Sequence, residues 1–249
     1  MDLVTVTDDG PVRTIRMNRP DKKNALTAEM YEAMSAAIEG AKQHPVLRCL
    51  LIEGCPSDFC AGNDIADFIK ASVHGGTLGA PIIHFLDVLI NCDKPLVAAV
   101  QGNAVGIGTT MLFHCDYVVA SSKARFSAPF VSLGVVPEAA STLIAPRMMG
   151  NARAFSLLVM GRPMLADDAK AAGLVNMVVA PEEVDAEATK AAHEIAALPP
   201  QGVLVTRRLL RGSCAEILAR MHEETTLFQT RLRTEEARTA FEAFLTRKK

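Results

Sequence analysis

The chain has 249 residues and a formal net charge of -2, with 49% hydrophobic and 22% charged residues. A chain of this length and composition suits one large domain, or one domain with a small appendage, and it excludes an intrinsically disordered protein. A charge balance so close to neutral gives no reason to expect nucleic acid as a partner.

The cysteines and histidines do not follow the spacing of metal ligands. No CxxC pair occurs among the six cysteines, and no two histidines have the spacing of zinc ligands. The sequence therefore predicts buried, reduced thiols, no bound metal and a cytoplasmic location. The N-terminus agrees with that location, because acidic residues at 8 and 9 and the lack of an apolar run are unlike a signal peptide.

An uncharged stretch from 95 to 113 is about as long as a membrane span. Gln101, Asn103 and three glycines interrupt it. A buried strand followed by a buried helix is the better interpretation, so we expect no association with a membrane.

Strands and helices alternate through the first part of the chain. Two strands are expected at 3–7 and 12–17, and Thr27 is a good N-cap for a helix that continues to about 43 with apolar residues at i, i+3 and i+4. Further strands are expected at 47–53, 96–100, 117–120, 125–128 and 131–135. Further helices are expected at 64–70, 81–92 and 106–113, with a mobile loop at 73–80. This alternation predicts the α/β class with parallel pairing of strands.

Helical periodicity dominates after about residue 150, apart from a strand signal at 174–179. The stretch Ala-Ala-Leu-Pro-Pro at 196–200 is the best candidate for a boundary. We therefore expect an α/β core over 1–198 and a helical C-terminal region over 199–249.

Two loops contain glycine directly after a strand. Residues 97–108 read Val-Ala-Ala-Val-Gln-Gly-Asn-Ala-Val-Gly-Ile-Gly, which is neither a dinucleotide fingerprint nor a P-loop. Close packing of a helix on a strand would also explain these glycines. Residues 59–64, Phe-Cys-Ala-Gly-Asn-Asp, form the second loop. Together the loops can direct two backbone N–H groups at one point, which is the geometry of an oxyanion hole.

Seven spaced motifs occur in a familiar order: Asn-Arg-Pro-Asp-Lys-Lys-Asn-Ala-Leu at 18–26, the loop at 59–64, Lys-Pro-Leu-Val-Ala-Ala-Val-Gln-Gly at 94–102, Cys-Asp at 115–116, Ala-Arg-Phe at 124–126, Leu-Gly-Val-Val-Pro at 133–137 and Gly-Leu-Val at 173–175. In these motifs the chain resembles the enoyl-CoA hydratase/isomerase (crotonase) superfamily. The resemblance implies a spiral of ββα units with a helical C-terminal trimerisation region, and hence a homotrimer or a dimer of trimers. It also implies an acyl-CoA thioester as substrate. Two backbone N–H groups hold its thioester oxygen in the family, and the corresponding residues here are Ala61 and Ile107.

The two catalytic glutamates of the family's hydratases correspond to Thr110 and Phe130 in this chain. Neither residue exchanges a proton near neutral pH, so the activation of water lacks its usual groups. Glu138 follows Pro137, as in the peroxisomal-type Δ3,Δ2-enoyl-CoA isomerases that the chain resembles here. That subgroup also has Gly-Asn-Asp in the first loop and a bulky residue at the Ile107 position. The sequence therefore predicts an isomerase with Glu138 as its catalytic base.

Other contacts with the substrate are expected on the same resemblance. They involve Lys23, Ala25, Asn63, Asp64, Ile65, Thr110, Phe130 and Leu133. No cofactor is expected beyond the coenzyme A moiety of the substrate. Three alternatives remain open: a hydratase or another crotonase-type reaction, a non-catalytic acyl-CoA-binding module, and for Glu138 alone an acid that stabilises the start of a helix. His114 is expected to pack in the core.

Overall fold

The main sheet has six strands in the computed structural model, which describes residues 2–64 and 79–247. The strands of the chain are β1 (Val4–Asp9), β2 (Val12–Met17), β3 (Cys49–Glu53), β4 (Leu96–Val100), β5 (Asn103–Val105), β6 (Tyr117–Ser121), β7 (Arg125–Ser127), β8 (Met164–Leu165) and β9 (Met177–Val179). The main sheet has the order β1-β2-β3-β4-β6-β9, and a small sheet has the order β5-β7-β8. β1 and β2 form an antiparallel hairpin, whereas the other neighbours in the main sheet are parallel.

Helices connect the strands and then form the C-terminal part of the fold. They are α1 (Ala28–Lys42), α2 (Ala80–Asn91), α3 (Ile107–Thr110), α4 (Ser141–Met149), α5 (Asn151–Leu158), α6 (Ala166–Ala171), α7 (Val184–Ala197), α8 (Pro200–Arg211), α9 (Cys214–Leu232) and α10 (Glu235–Arg247). Short 3₁₀ turns lie at Pro20–Lys22, Met111–His114, Val131–Leu133 and Pro181–Glu183. Thr27 caps α1 as expected, because its side chain accepts a hydrogen bond from the Met30 N–H.

The main sheet separates two hydrophobic cores. Successive residues of a strand point to opposite faces, so Leu50 and Ile52 of β3 belong to the larger core and Leu51 to the smaller one. The smaller core lies under α7, whose Val184, Ala188, Ala192 and Ala196 repeat every four residues. The candidate site described below lies entirely on the other side of the sheet, in the larger core.

The α/β class and the helical C-terminal region are confirmed. The prediction of an extended segment at 131–135 is wrong, because Gly134 adopts a left-handed conformation that ends a 3₁₀ turn at Val131–Leu133. The predicted helix at 106–113 divides into α3 and the 3₁₀ turn Met111–His114. The expected helix at 64–70 and loop at 73–80 fall mainly on residues 65–78, outside the described part of the chain. No helix within the described ranges is long and apolar enough to cross a membrane.

Candidate active site

Glu138 occupies a turn of unusual backbone conformation just before α4. Ala139 and Ala140 follow it with φ values of 63° and 54°. This left-handed region is costly for residues with a Cβ, and such strain concentrates at functional sites. The Glu138 side chain is only 1% exposed, and neither of its oxygens has a hydrogen-bond partner among the described residues. Its location is therefore fixed by the backbone of the turn rather than by bonds to the carboxyl group.

Burial changes the acid–base behaviour of this carboxyl group. It raises the pKa of Glu138 to about 8, with a smaller contribution from the negative charge of Glu224. A buried carboxylate without donors is poorly solvated, and it gains from taking up a proton. A side chain whose pKa lies near neutral pH is well suited to general acid–base work.

Glu224 is a second buried acid near the turn, and the sequence analysis missed it. It extends from α9, and its Oε1 accepts hydrogen bonds from the Thr142 N–H at 2.9 Å and the Thr142 hydroxyl at 2.6 Å. Burial is the main cause that raises its pKa to about 7. The signal was present, because Glu224 lies on the apolar stripe of α9 with Ile217, Met221 and Phe228.

The first loop does not offer the Ala61 N–H as an oxyanion donor. That N–H already donates to the Lys23 carbonyl at 2.9 Å. The prediction for Ala61 is therefore contradicted in this conformation. The sequence motif alone could not reveal the difference, because it arises from the pairing of this loop with residues 23–26.

Asn63 offers a free donor from the same loop. Leu26 pairs with the two residues on either side of Asn63. The Leu26 N–H donates to the Gly62 carbonyl, and the Asp64 N–H donates to the Leu26 carbonyl. The Asn63 N–H consequently points away from Leu26, and it has no backbone partner in the described part of the chain. The Tyr31 hydroxyl donates to Oδ1 of Asn63.

Ile107 provides an N–H at the first position of α3. Gly106 precedes it with a φ of 56°, a conformation that favours glycine. The first N–H groups of a helix have no partner within the helix, and the structure gives the Ile107 N–H none among the described residues. This N–H is therefore available to donate, and its role as an oxyanion donor stays a prediction.

A cavity of about 140 Å³ lies between the two loops and the C-terminal helices. Its walls are formed by Ala61, Gly62, Asn63, Val105, Gly106, Pro129, Phe130, Leu133, Val135, Phe228, Phe241 and Phe244. The structure thus brings together the predicted Asn63, Phe130 and Leu133. The phenylalanines of α9 and α10 were missed, because nothing local in the sequence places the last helices against residues 61–63.

Glu138 does not line this cavity, but it lies close enough to the first loop for its charge to act on Cys60. Electrostatic repulsion from the Glu138 carboxylate helps to raise the pKa of both Tyr31 and Cys60. Burial is the larger cause for both groups. Tyr31, which donates to Asn63, therefore lies within reach of the Glu138 charge.

The remaining predicted residues occupy different settings. Lys23 is exposed and left-handed, with a φ of 51°. Asp64 forms an ion pair with Arg19 at 2.7 Å, and the same Arg19 donates to the Ala25 carbonyl. Thr110 is fully buried, and its hydroxyl has no hydrogen-bond partner within residues 2–64 and 79–247. Ile65 lies outside the described residues.

The described residues include no group of three or more His, Cys, Asp or Glu side chains that could hold a metal ion. The carboxylate of Asp116, next to Cys115, has a structural partner instead. It accepts hydrogen bonds from Arg207 Nε at 2.7 Å and from the Leu96 N–H at 2.8 Å. Asp116 thereby joins β4 to α8.

Comparison with known proteins places these features in a family. The family model described as enoyl-CoA hydratase/isomerase matches residues 8–249. Enoyl-CoA delta isomerase 2 of Rattus norvegicus is 36% identical over 98% of this chain, which spans 64% of the length of that relative. A probable enoyl-CoA hydratase of Rhizobium meliloti is 31% identical over 100% of this chain and 96% of its own length.

A solved structure supports the same assignment. The enoyl-CoA hydratase/isomerase from Pseudoalteromonas atlantica is similar with a TM-score of 0.93 and 38% identity, over 99% of this chain and 98% of that chain. The fold, the paired loops and the matched residues lead to one conclusion. The chain belongs to the enoyl-CoA hydratase/isomerase family and has the crotonase fold.

Proposed function

We propose that this protein is an isomerase that converts a 3-enoyl-CoA into the conjugated 2-enoyl-CoA, with Glu138 as its single proton-transfer group. The observation that carries the proposal is the setting of that carboxyl group. It is buried, it lacks hydrogen-bond partners among the described residues, and its pKa is raised to about 8. The similarity to the rat protein named as an isomerase gives further support.

The proposed reaction needs one base because nothing is added and nothing leaves. The Glu138 carboxylate removes a proton from C2, and the electron pair of that C–H bond is delocalised into a dienolate. The same carboxyl group then returns the proton to C4, while the double bond forms between C2 and C3. A positioned base of this kind contributes a rate factor of about 10²–10⁴.

The negative charge of the dienolate resides largely on the thioester oxygen. We propose that the N–H groups of Asn63 and Ile107 donate to that oxygen, with Asn63 replacing Ala61 of the sequence prediction. Each such donor contributes a factor of about 10²–10³. Lys23, Ala25, Asp64, Ile65, Thr110, Phe130 and Leu133 remain proposed contacts of the substrate.

Hydration is the second candidate, and the Rhizobium meliloti relative named as a probable hydratase keeps it open. Thr110 and Phe130 argue against it, because neither can activate water or deliver a proton. A non-catalytic acyl-CoA-binding module is the third candidate. A binding module would not need a carboxyl group with a raised pKa, so it does not explain the setting of Glu138.

A panel of 3-enoyl-CoA and 2-enoyl-CoA thioesters of increasing chain length tests the proposal directly. We expect the 3-enoyl substrates to be isomerised and the 2-enoyl substrates to be hydrated slowly or not at all. Formation of the conjugated thioester and loss of that conjugation are both followed by ultraviolet absorbance. Dominant hydration would establish the second candidate, and binding without turnover the third.

The pH dependence of the reaction follows from the raised pKa of Glu138. The base acts as a carboxylate, so kcat/KM is expected to rise with pH and to level off above about 8.

The stability of the fold is expected to change with pH in the opposite direction. The folded state binds the Glu138 proton more tightly than the unfolded state, so this stabilisation is lost as pH rises from about 4.5 to about 8. Glu224 acts with the same sign.

Rate profiles and urea unfolding across this pH range measure the two effects. Glu138→Gln is the control, since it should remove the contribution of this residue to the stability slope. A kcat/KM that is independent of pH through this range would contradict the assignment of Glu138 as the base.

A homotrimer or a dimer of trimers in the cytoplasm remains our proposal for assembly. Ile217, Met221 and Phe228 are buried within the chain and need no partner. Exposed apolar side chains lie elsewhere in the C-terminal region, chiefly Leu209 and Leu210 of α8 at 77% and 83% exposure. A second subunit is one way of covering them. No nucleic acid, membrane or cofactor beyond coenzyme A enters this proposal.

A further inference from the structure

The Glu138 carboxyl group depends on its backbone for its position. Neither oxygen has a hydrogen-bond partner among the described residues, so no side chain holds the group directly. Ala139 and Ala140 continue the chain in two successive left-handed conformations. A turn with this much strain persists only where the surrounding structure holds it.

His114 makes a contact that can hold this turn in place. It is 2% exposed, and its Nε2 lies 2.8 Å from the carbonyl oxygen of Ala139. A carbonyl oxygen can only accept, so Nε2 must carry the proton. Nothing else in the structure's hydrogen bonds ties the Ala139 carbonyl to another part of the fold within the described residues.

The other ring nitrogen fixes this tautomer. Nη2 of Arg211 lies 3.5 Å from Nδ1 of His114, and an arginine can only donate. Nδ1 must therefore present a lone pair, which is the state of a neutral ring protonated on Nε2. Burial, assisted by the charge of Arg211, lowers the pKa of His114 to about 4 and agrees with a neutral ring. Arg211 is held in turn by the Cys92 carbonyl at 3.2 Å.

The location of His114 in the chain links the base to the oxyanion donor. α3 begins at Ile107, and the 3₁₀ turn Met111–His114 follows it without a break. One short helical segment therefore carries the proposed N–H donor at its first residue and the partner of the Ala139 carbonyl at its last.

We infer that His114 is a positioning residue. It holds the left-handed turn at Ala139, so that the Glu138 carboxyl group keeps a fixed position relative to the Ile107 N–H. This inference rests on the proposed role of Glu138 as the base. A histidine that merely fills the core would satisfy the same burial, so the test has to separate the position of a hydrogen-bond donor from packing.

Two amide substitutions provide that separation. The side-chain nitrogen of glutamine reaches about as far from the backbone as Nε2 of histidine, whereas that of asparagine reaches only as far as Nδ1. We expect His114→Gln to keep kcat close to wild type. His114→Asn and His114→Leu should lower kcat by up to about 10²-fold, because a small misplacement of a catalytic group has effects of that size. KM should change little, since none of these variants alters the cavity walls.

Val119→Ala is the control for stability. Val119 is fully buried in the smaller core on the opposite face of the sheet. It should lower the melting temperature and leave kcat unchanged. Equal kcat in wild type and His114→Leu would overturn the inference, as would an equal loss in the glutamine and asparagine variants. If His114→Leu does not fold, the glutamine and asparagine pair decides the matter alone.

A spectroscopic measurement keeps this inference distinct from the proposed function. Infrared difference spectra identify the Glu138 carboxyl band as the one that is absent from Glu138→Gln. We expect that band to move in His114→Asn and to stay in place in His114→Gln. If wild type isomerises no 3-enoyl-CoA, the proposed function fails while the band still tests the positioning. A band that stays in place in both variants would overturn the inference even in an active isomerase.

Discussion

Replacing Glu138 with glutamine is expected to lower kcat for 3-enoyl-CoA isomerisation by about 10²–10⁴, because the amide keeps the size of the side chain and removes the base. Affinity for acyl-CoA should be largely retained, since the proposed oxyanion donors are backbone groups. Stopped assays that follow the conjugated product give kcat, and calorimetric titration with a saturated acyl-CoA gives the affinity.

Glu53→Gln is the matched control for this experiment. Glu53 is also buried, at 4% exposure, and its carboxyl group pairs at 3.0 Å with Arg16 of β2, at the C-terminal end of β3. Burial raises its pKa as well, so the two glutamates differ in location rather than in chemical class. Only the Glu138 variant should lose turnover. Normal isomerisation by Glu138→Gln would remove Glu138 from the mechanism.

Replacing Ile107 with proline is expected to lower kcat by about 10²–10³, because proline has no N–H to donate to the thioester oxygen. Proline is well tolerated at the first position of a helix, where the N–H has no partner within the helix. Gly106 can adapt to a following proline, since it has no side chain to clash. The substitution therefore removes one donor with little change in the backbone.

Ile107→Ala separates the donor from the side chain. Ile107 is fully buried, and truncation to alanine should cost roughly 2–5 kcal/mol of stability. It keeps the N–H, so kcat measured on folded protein should stay near wild type. Thermal unfolding and steady-state kinetics on both variants distinguish the two effects. Equal losses of kcat would mean that packing at Ile107, rather than its N–H, matters for the reaction.

Regular elements with a local signal were predicted well from the sequence. β2 and β4 were expected with the bounds that the structure has, and Thr27 caps α1 as its chemistry implies. Local signals were sufficient because a cap and a short strand pattern of apolar residues depend on few neighbours. The segment at 131–135 failed for the opposite reason, since one left-handed glycine decided its conformation.

The candidate site required information that no local pattern contains. Glu138 and Ile107 were proposed as site residues from their place in a motif. The choice of Asn63 rather than Ala61 as the proposed oxyanion donor depends on how residues 61–64 pair with Leu26, which is a tertiary contact. Glu224 and Phe241 lie more than eighty residues further along the chain than Glu138, and only the packing of α9 and α10 brings them to the turn or to the cavity.

If Glu138 is the base proposed above, the two left-handed alanines that follow it create a conflict between thermal stability and catalytic rate. Glycine at 139 or 140 would adopt the same φ without steric cost, because it has no Cβ, and it would relieve strain of order 1–3 kcal/mol. The same freedom would let the turn sample other conformations, and the carboxyl group would spend less time aligned for proton transfer. Stabilisation by the usual exchange of strained residues is thus the wrong strategy at this turn. A more heat-resistant form of this protein is better sought under α7, on the face of the sheet opposite the proposed site.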